Sequence, residues 1–260
     1  MKIGIIGEGA IGRYVADKLR EGGNGPHAIL VRPARLSEPN DTGAARVSSV
    51  GNLPPDLDLM VDCAGHAALI DHGAAILERG IDLITVSLGA LADAALEQRL
   101  TDAARAGGAQ LHLASGAIGA LDCMQAARVG GLTEVIYTGR KPPNGWRGSP
   151  AEDRIDLDGL TSATTHFDGT ARQAATEYPK NANVAAAVAI AGMGFDATKA
   201  RLIADPDVTA NIHEIEAKGA FGSFTFRIEG KALPDNPRSS ALAAMSVISA
   251  IERRRAAITT

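Results

Sequence analysis

The sequence predicts an α/β fold followed by an α+β half, and two observations carry that prediction. Short apolar runs alternate with helical patterns through about the first 115 residues, which is typical of a parallel sheet with right-handed crossovers. Beyond that point the pattern changes to longer alternating runs, a proline-rich break and further helical stretches. The length of 260 residues suits one large domain or two small ones.

The first half reads as six strands with helices between them. The predicted strands are KIGII (2–6), HAILV (27–31), the weak ARVSSV (45–50), LDLMVDCAG (57–65), IDLITVS (81–87) and AQLHLAS (109–115). The predicted helices are AIGRYVADKLREGG (10–23), ALIDHGAAILERG (68–80) and LADAALEQRLTDAARAGG (91–108). Apolar residues recur at helical spacing in the predicted helices. In the predicted strands they run almost unbroken, as expected for strands buried on both faces.

The second half mixes strands and helices in another order. TEVIYTGRKPP (133–143) reads as a strand, and TARQAATEYPKNANVAAAVAIAGMG (170–194) as a helix interrupted at Pro179. The alternating runs VTANIHEIEAKG (208–219) and AFGSFTFRIEG (220–230) meet at a glycine-containing turn and predict an antiparallel hairpin. NPRSSALAAMSVISAIERRR (236–255) predicts a closing helix, with Ser239 or Ser240 as its cap.

Composition and charge exclude several classes of function. The net charge of -4 leaves no basic footprint for nucleic acid, and no run of about 18 apolar residues predicts a membrane span. Cys63 and Cys123 do not have the spacing of a metal site or of a disulfide framework, which favours a reducing cytoplasm. Neither cysteine has a base partner visible in the sequence, so packing is the better interpretation than nucleophilic chemistry.

GEGAIG (Gly7–Gly12) carries the first chemical signal. The G-x-G-x-x-G spacing follows a predicted strand and opens a predicted helix, which is the context that dinucleotide binding requires. Gly7 allows the tight turn, Gly9 lets the backbone approach a pyrophosphate, and Gly12 lets helix and strand pack closely. With Ala10 and Ile11 between them, these residues predict a Rossmann-type site for NAD or NADP at a helix N-terminus.

Two further stretches refine the cofactor prediction. The second strand ends Leu30-Val31-Arg32-Pro33 without the carboxylate that grips a ribose 2′-hydroxyl, so Arg32 is the candidate for meeting a 2′-phosphate. We therefore expect NADP to be accepted, along with NAD. The segment Cys63-Ala64-Gly65 follows the fourth strand, at the sheet edge where ligands bind, and its backbone is expected to line the cofactor.

Alternation in TANIHEIEAKG places His213 with Ile215 and Ala217 on one strand face, opposite the charged Glu214 and Glu216. The charged face is expected to meet water, so His213 points inward. It is either a packed core histidine or a catalytic group, and an unperturbed pKa near 6.5 would suit acid/base work in both directions.

Taken with the glycine loop, SGAIGALD (115–122), YPKNANVAA (178–186), NIHEIEAKGAFG (211–222) and the terminal DNPRSSALAA make the chain similar to the L-aspartate dehydrogenase family. The resemblance implies a fold like that of dihydrodipicolinate reductase and homoserine dehydrogenase, often a homodimer. The domains expected are 1–115 for the dinucleotide, 116–235 for catalysis, and 236–260 as a helix returning to the first domain.

The resemblance also implies the reaction and its residues. The expected activity is NAD(P)-dependent oxidation of L-aspartate to iminoaspartate, which water hydrolyses to oxaloacetate and ammonia, and which can feed NAD biosynthesis. By the family motifs His213 is catalytic, while Ala117 and Asn183 contact the dinucleotide. A substrate with two carboxylates calls for cationic or N–H donors. The candidates are Ser115, Gly116, Arg140, Lys141 and Lys180.

Two alternatives stay open. One is a related NAD(P)-linked oxidoreductase of the dihydrodipicolinate or diaminopimelate type, which would share the glycine loop but not the N-x-H-E-I and N-x-N-V-A motifs. The other is a non-catalytic dinucleotide-binding sensor, which needs the loop but not His213.

Overall fold

A computed structural model describes residues 1–38, 42–179, 181–233 and 236–259. The described chain divides into two compact units: unit 1 contains residues 1–114 and 243–260, and unit 2 contains residues 115–242. The α/β and α+β halves predicted from the sequence are both confirmed.

Unit 1 is built on a six-stranded sheet in the order β3-β2-β1-β4-β5-β6. All neighbouring strands in it are parallel. The strands are β1 (Ile3–Ile6), β2 (Ala28–Leu30), β3 (Ala45–Val47), β4 (Leu59–Asp62), β5 (Asp82–Thr85) and β6 (Leu111–Leu113). The helices are α1 (Ala10–Glu21), α2 (His66–Glu78) and α3 (Ala94–Gly107). The order reverses between β1 and β4, so the carboxyl ends of these two strands form the switch point where ligands bind such sheets.

The crossover between β2 and β3 contains no α-helix among its described residues. A short 3₁₀ turn, Pro33–Arg35, follows β2 instead. Further 3₁₀ turns lie at Val50–Asn52 and Leu88–Ala92.

Unit 2 is built on a mixed five-stranded sheet in the order β11-β10-β7-β9-β8. Its strands are β7 (Leu132–Lys141), β8 (Thr164–Thr170), β9 (Lys199–Ala204), β10 (Asn211–Gly219) and β11 (Gly222–Gly230). Its helices are α4 (Leu121–Gly130), α5 (Ala171–Glu177) and α6 (Asn183–Ala191), with a 3₁₀ turn at Pro143–Trp146. The predicted hairpin is confirmed as the antiparallel pair β10–β11, and the break at Pro179 separates α5 from α6. The sequence patterns did not predict β8, β9 or α4.

The boundary of the closing helix corrects the sequence prediction. Residues Asn236–Ser240 form a strand, β13, which pairs with β12 (Ala232–Leu233), and helix α7 begins only at Ala241 (Ala241–Arg255). The hydroxyl of Ser240 has no hydrogen-bond partner in the described part of the chain, so it does not cap the helix; the side chain of Ser239 lies outside what the structure describes. Asn and Pro are poor helix formers, and pairing with β12 satisfies the backbone there instead.

Helix α7 completes the core of unit 1. Val247, Ala250 and Ile251 are buried in the same apolar cluster as Ile3 and Val61 of the parallel sheet. The core is made mainly of aliphatic side chains because aromatic residues are only 3% of the chain. Among the described residues, no helix is both long and apolar enough to cross a bilayer.

Candidate active site

The glycine loop joins β1 to α1, so the strand–loop–helix context predicted for it is confirmed. Gly7 has a φ of +87°, and a Cβ there would come 2.7 Å from Cβ of Ala64. A Cβ on Gly12 would lie 2.2 Å from the Gly7 carbonyl oxygen, whereas a Cβ on Gly9 would meet no atom within 4 Å. Gly7 and Gly12 are therefore required by the protein itself, and Gly9 leaves open space.

The start of α1 is available for an anion. Gly9 is the N-cap and has no side chain to occupy the first N–H groups of the helix, and Ala10 and Ile11 form its first turn. Free N–H groups and the positive end of the helix dipole favour a phosphate at this position.

A buried carboxylate organises the segment after β4. Asp62 accepts hydrogen bonds from the backbone N–H of Ala64 at 3.0 Å and from the hydroxyls of Thr85 at 2.7 Å and Ser87 at 2.6 Å. Burial raises the pKa of Asp62, and these hydrogen bonds oppose that rise. Sequence reasoning missed this network, although its signal was present: Asp62 ends one apolar strand, and Thr85 and Ser87 stand at the end of the next.

Cys63 and Gly65, which follow Asp62 in the same segment, fit this arrangement. Gly65, with a φ of +92°, turns the backbone into α2. Burial raises the pKa of the Cys63 thiol well above its usual value, so Cys63 packs as a small apolar group, as the sequence suggested, and is a poor nucleophile.

Three arginines near the end of β2 differ in exposure and in their ion-pair partners. Arg32 is exposed, while Arg35 is paired with Glu38 at 2.8 Å. Arg46 on β3 makes a bidentate ion pair with Glu8 of the glycine loop, and both side chains are only 10% exposed. Both Arg35 and Arg46 line a cavity of about 410 Å³ against the glycine loop, whereas Arg32 is not among its lining residues. Sequence reasoning missed the Glu8–Arg46 pair because the two residues are far apart along the chain.

His213 lies on the buried face of β10, as alternation predicted, and is 6% exposed. Its direct neighbour on β7 is Gly139, and Tyr137 is two residues away on the same face. The Tyr137 hydroxyl lies 2.9 Å from Nδ1 of His213. Tyr137 is therefore the group that orients the His213 ring.

The electrostatics of His213 differ from the expectation of an unperturbed imidazole. Burial, together with the nearby positive charge of Lys141, lowers the pKa of His213 to about 3. Among the residues that the structure describes, no carboxylate is paired with this ring, so the ring is neutral near pH 7.

Lys141 is the cation of this site. It ends β7 on the same strand face as Tyr137, and its ammonium group donates to Oδ1 of Asn181 at 2.5 Å and lies 4.8 Å from the centre of the Trp146 ring. Burial lowers its pKa to about 8. Within the described residues Lys141 has no carboxylate partner, and a half-buried lysine of this kind is suited to binding an anionic ligand.

The other substrate candidates are placed differently. Arg140 alternates to the opposite face of β7 and is ion-paired with Asp205, so it does not belong with Lys141 and His213, which corrects its candidacy. Ser115 and Gly116, the latter with a φ of +70°, precede α4, and Ala117 follows them. Asn183 is the first residue of α6. Lys180 lies outside the described residues.

A second buried tyrosine–histidine pair stands beside Lys141. The Tyr178 hydroxyl lies 3.1 Å from Nδ1 of His166, and the His166 ring meets Trp146 edge-on at 4.4 Å. Burial, with help from Arg154 and Lys141, lowers the pKa of His166 to about 4. These aromatic side chains lie close to Lys141. Tyr178 belongs to the motif YPKNANVAA (178–186), whereas His166 and Trp146 belong to none of the motifs quoted above.

Unit 2 thus brings together a neutral imidazole held by a phenol and a buried ammonium group. The first can exchange a proton with a substrate, and the second can hold a carboxylate. Unit 1 offers a loop and a helix terminus built for a pyrophosphate. Within the described residues, no group of three His, Cys, Asp or Glu side chains is arranged to hold a metal ion.

Each half of the chain matches a known protein family. Residues 122–254 match the family model "Aspartate dehydrogenase, C-terminal", and residues 7–114 match "Homoserine dehydrogenase, NAD binding domain". An NAD(P)-binding domain is therefore present. The L-aspartate dehydrogenase of Ruegeria pomeroyi is 56% identical over 259 residues, covering 99% of this chain and 94% of the relative. That of Cupriavidus necator is 48% identical, with 99% of both chains covered.

Solved structures agree. The crystal structure of aspartate dehydrogenase from Thermotoga maritima superposes with a TM-score of 0.79 at 28% identity, covering 100% of this chain and 99% of that one. A hyperthermophilic archaeal homoserine dehydrogenase in complex with NADPH gives a TM-score of 0.61 at 12% identity over 97% of this chain, a likeness of fold alone.

Proposed function

Because this chain belongs to the L-aspartate dehydrogenase family, we propose that it oxidises L-aspartate to iminoaspartate with NAD(P) as hydride acceptor. Hydride leaves Cα for the nicotinamide, and water then hydrolyses the imine to oxaloacetate and ammonia. The observation that supports the roles of the residues is the grouping of His213, Tyr137 and Lys141 on one face of β7 and β10.

His213 is the acid/base group in this proposal. Only an uncharged amine can push hydride out of Cα, so a base must take a proton from the substrate ammonium. The free ring is held neutral, with its pKa at about 3, by burial and by Lys141. A carboxylate on Lys141 removes that repulsion and raises the pKa of His213, which makes it a stronger base when substrate is bound.

Lys141 binds one carboxylate of aspartate. Asn181 and Trp146 fix its ammonium group, so little conformational freedom is lost when the anion arrives. The backbone around Ser115 and Gly116 is the candidate for the second carboxylate, because this turn precedes α4.

The dinucleotide binds unit 1 in this proposal. Its pyrophosphate meets the N–H groups at Gly9, Ala10 and Ile11, and the backbone of Cys63–Gly65 lines the cofactor. Ala117 and Asn183 contact it by the family motifs. With no carboxylate at the end of β2 and Arg32 exposed there, both NAD and NADP are accepted.

We further propose that the enzyme works as a homodimer in the cytoplasm. The family resemblance supports the dimer, and the unpaired cysteines Cys63 and Cys123 fit a reducing compartment. Light scattering on the purified protein tests the dimer, and a single monomeric mass would rule it out.

The deciding assay mixes the protein with oxaloacetate, ammonium and NADH or NADPH and follows loss of the reduced cofactor. Turnover that requires ammonium supports the proposal, and the reverse reaction with L-aspartate must restore reduced cofactor. Tight cofactor binding without turnover would instead favour a dinucleotide sensor. Turnover only with dihydrodipicolinate or a diaminopimelate-type substrate would favour the related oxidoreductases.

A further inference from the structure

Tyr137 is a buried phenol that no sequence motif singled out, and the register of the sheet brings it to His213. Gly139 is the residue directly opposite His213, and Tyr137 sits one pleat further along β7. Because Gly139 has no side chain, the phenol reaches along the strand and places its oxygen 2.9 Å from Nδ1, with the two rings tilted by only 22°.

Gly139 is needed for this reach. A Cβ at this position would lie 2.6 Å from the Tyr137 hydroxyl oxygen and 3.2 Å from Cδ2 of Leu202. The first distance is shorter than real Cβ contacts allow, so an alanine would displace the phenol. Gly139 has no unusual φ, and therefore the reason for glycine is the space that it leaves.

We propose that Tyr137 is a positioning residue that holds the His213 ring and determines which ring nitrogen carries the proton. The inference rests on the proposed role of His213 as the acid/base group.

The Tyr137 hydroxyl carries a buried proton that needs an acceptor. Tyr137 is 1% exposed, and burial raises its pKa, so the phenol stays protonated at neutral pH. In the described part of the chain, Nδ1 of His213 is the hydrogen-bond partner of this hydroxyl. A buried hydroxyl proton without an acceptor is destabilising. In the resting neutral ring the phenol therefore donates to Nδ1, and the ring proton is on Nε2.

A hydroxyl serves the other states of the ring as well. When the ring proton exchanges through water to Nδ1, the Tyr137 hydroxyl turns and its oxygen accepts from Nδ1–H, and Nε2 then has the free lone pair that takes a proton from the substrate ammonium. In the imidazolium that results, Nδ1–H still donates to the same oxygen, and loss of the proton from Nε2 returns the ring to the base form. Phenylalanine can neither donate nor accept, so it supports none of these three states.

The experiment compares Tyr137→Phe and Gly139→Ala with the natural protein. Steady-state kinetics with L-aspartate should show kcat lowered by about 10-fold or more, within the range of acid/base contributions, and a KM for aspartate changed by less than about 3-fold. A residue that merely supported packing would lower thermal stability without this split between kcat and KM.

The second readout is ¹⁵N NMR of protein labelled at histidine, recorded near pH 7 without substrate. His213 should show its proton on Nε2 and a hydrogen-bonded Nδ1, and both variants should shift the Nδ1 resonance. Tyr178→Phe is the matched control, because it removes the same kind of bond from His166 and should leave the His213 signals in place.

Unchanged His213 resonances in Tyr137→Phe, or a kcat within twofold of the natural protein's, would overturn the inference. If Gly139→Ala failed to fold, Tyr137→Phe would still decide, since it keeps the ring that fills the core. A natural protein that does not oxidise aspartate would defeat the proposed function, whereas the NMR comparison would still test the bond.

Discussion

At the scale of single residues, the site depends on two groups whose pKa values are both moved by burial. The pKa of His213 is lowered to about 3, which favours the neutral ring. The pKa of Lys141 is lowered to about 8, within about one unit of neutral pH. Groups with such shifts cluster at functional sites because catalysis and ligand binding need pKa values that differ from those of free side chains.

His213→Ala should lower kcat by about 10²–10⁴-fold, since it removes the proton-transfer group. Cofactor affinity, measured by fluorescence titration of NADH, should stay unchanged. Glu216→Gln is the control on the same strand, because Glu216 alternates to the opposite face and its replacement should leave turnover intact. Full activity in His213→Ala would remove the acid/base role.

The affinity for aspartate should depend on pH through Lys141. The lysine is charged below its pKa of about 8 and neutral above it, so the KM for aspartate should rise as the pH passes from 7 to about 9.5. Lys141→Met should show a KM raised by about 10-fold or more at pH 7, with little further change. A KM that stays flat across this range in the natural enzyme would contradict the assignment.

At the scale of elements, the glycines of the loop have different roles. The fold requires Gly7 and Gly12, whereas Gly9 is expected to serve ligand binding. Gly12→Ala places a Cβ 2.2 Å from the Gly7 carbonyl oxygen, so it should both lower the melting temperature and abolish cofactor binding. Gly9→Ala meets no protein atom within 4 Å, so it should leave the melting temperature near that of the natural protein and weaken dinucleotide binding. Calorimetry and NADH titration on both variants distinguish the two effects.

The segment after β4 gives a further prediction at this scale. Asp62→Ala leaves the hydroxyls of Thr85 and Ser87 and the N–H of Ala64 without their acceptor, so unfolding free energy should fall by about 2–4 kcal/mol. Urea unfolding measures this loss. Asp93→Ala removes a surface helix cap instead and should cost about 1 kcal/mol.

Elements with a clear period or a defined turn could be predicted from the sequence. The glycine loop, the β10–β11 hairpin and the break at Pro179 follow from local chemistry, and so does the inward direction of His213. Contacts between distant segments could not be predicted. Tyr137 reaches His213 through strand register, and Arg46 on β3 contacts Glu8 of the glycine loop, 38 residues earlier in the chain. Alternation in β7 did carry a usable signal, since Tyr137, Gly139 and Lys141 share a face.

Short or mixed segments were the other source of error. NPRSS has one serine pair suited to a cap, yet the strand pairing of Ala232 with Ser240 decides its conformation. The shifted pKa of His213 was also out of reach, because it depends on burial and on the placement of Lys141, neither of which is a property of the strand alone.

At the scale of the whole molecule, unit 1 is discontinuous in sequence. Truncation after Leu242 removes Val247 and Ile251 from its core, so the shortened chain should lose cooperative unfolding of unit 1 and cofactor binding. Removing only residues 256–260, of which 256–259 are exposed, is the control and should leave both intact. Thermal unfolding followed by circular dichroism measures the cooperativity, and NADH titration measures cofactor binding.

The position of α7 has a consequence for how the protein is made. A ribosome releases residues 1–114 before unit 2, but the apolar surface that Val247, Ala250 and Ile251 cover stays open until these three residues emerge. The unit that is synthesised first is therefore finished last, after all of unit 2 has had time to fold. A stalled or prematurely terminated chain would expose this surface of the dinucleotide unit, which makes incomplete copies ready targets for chaperones and proteases.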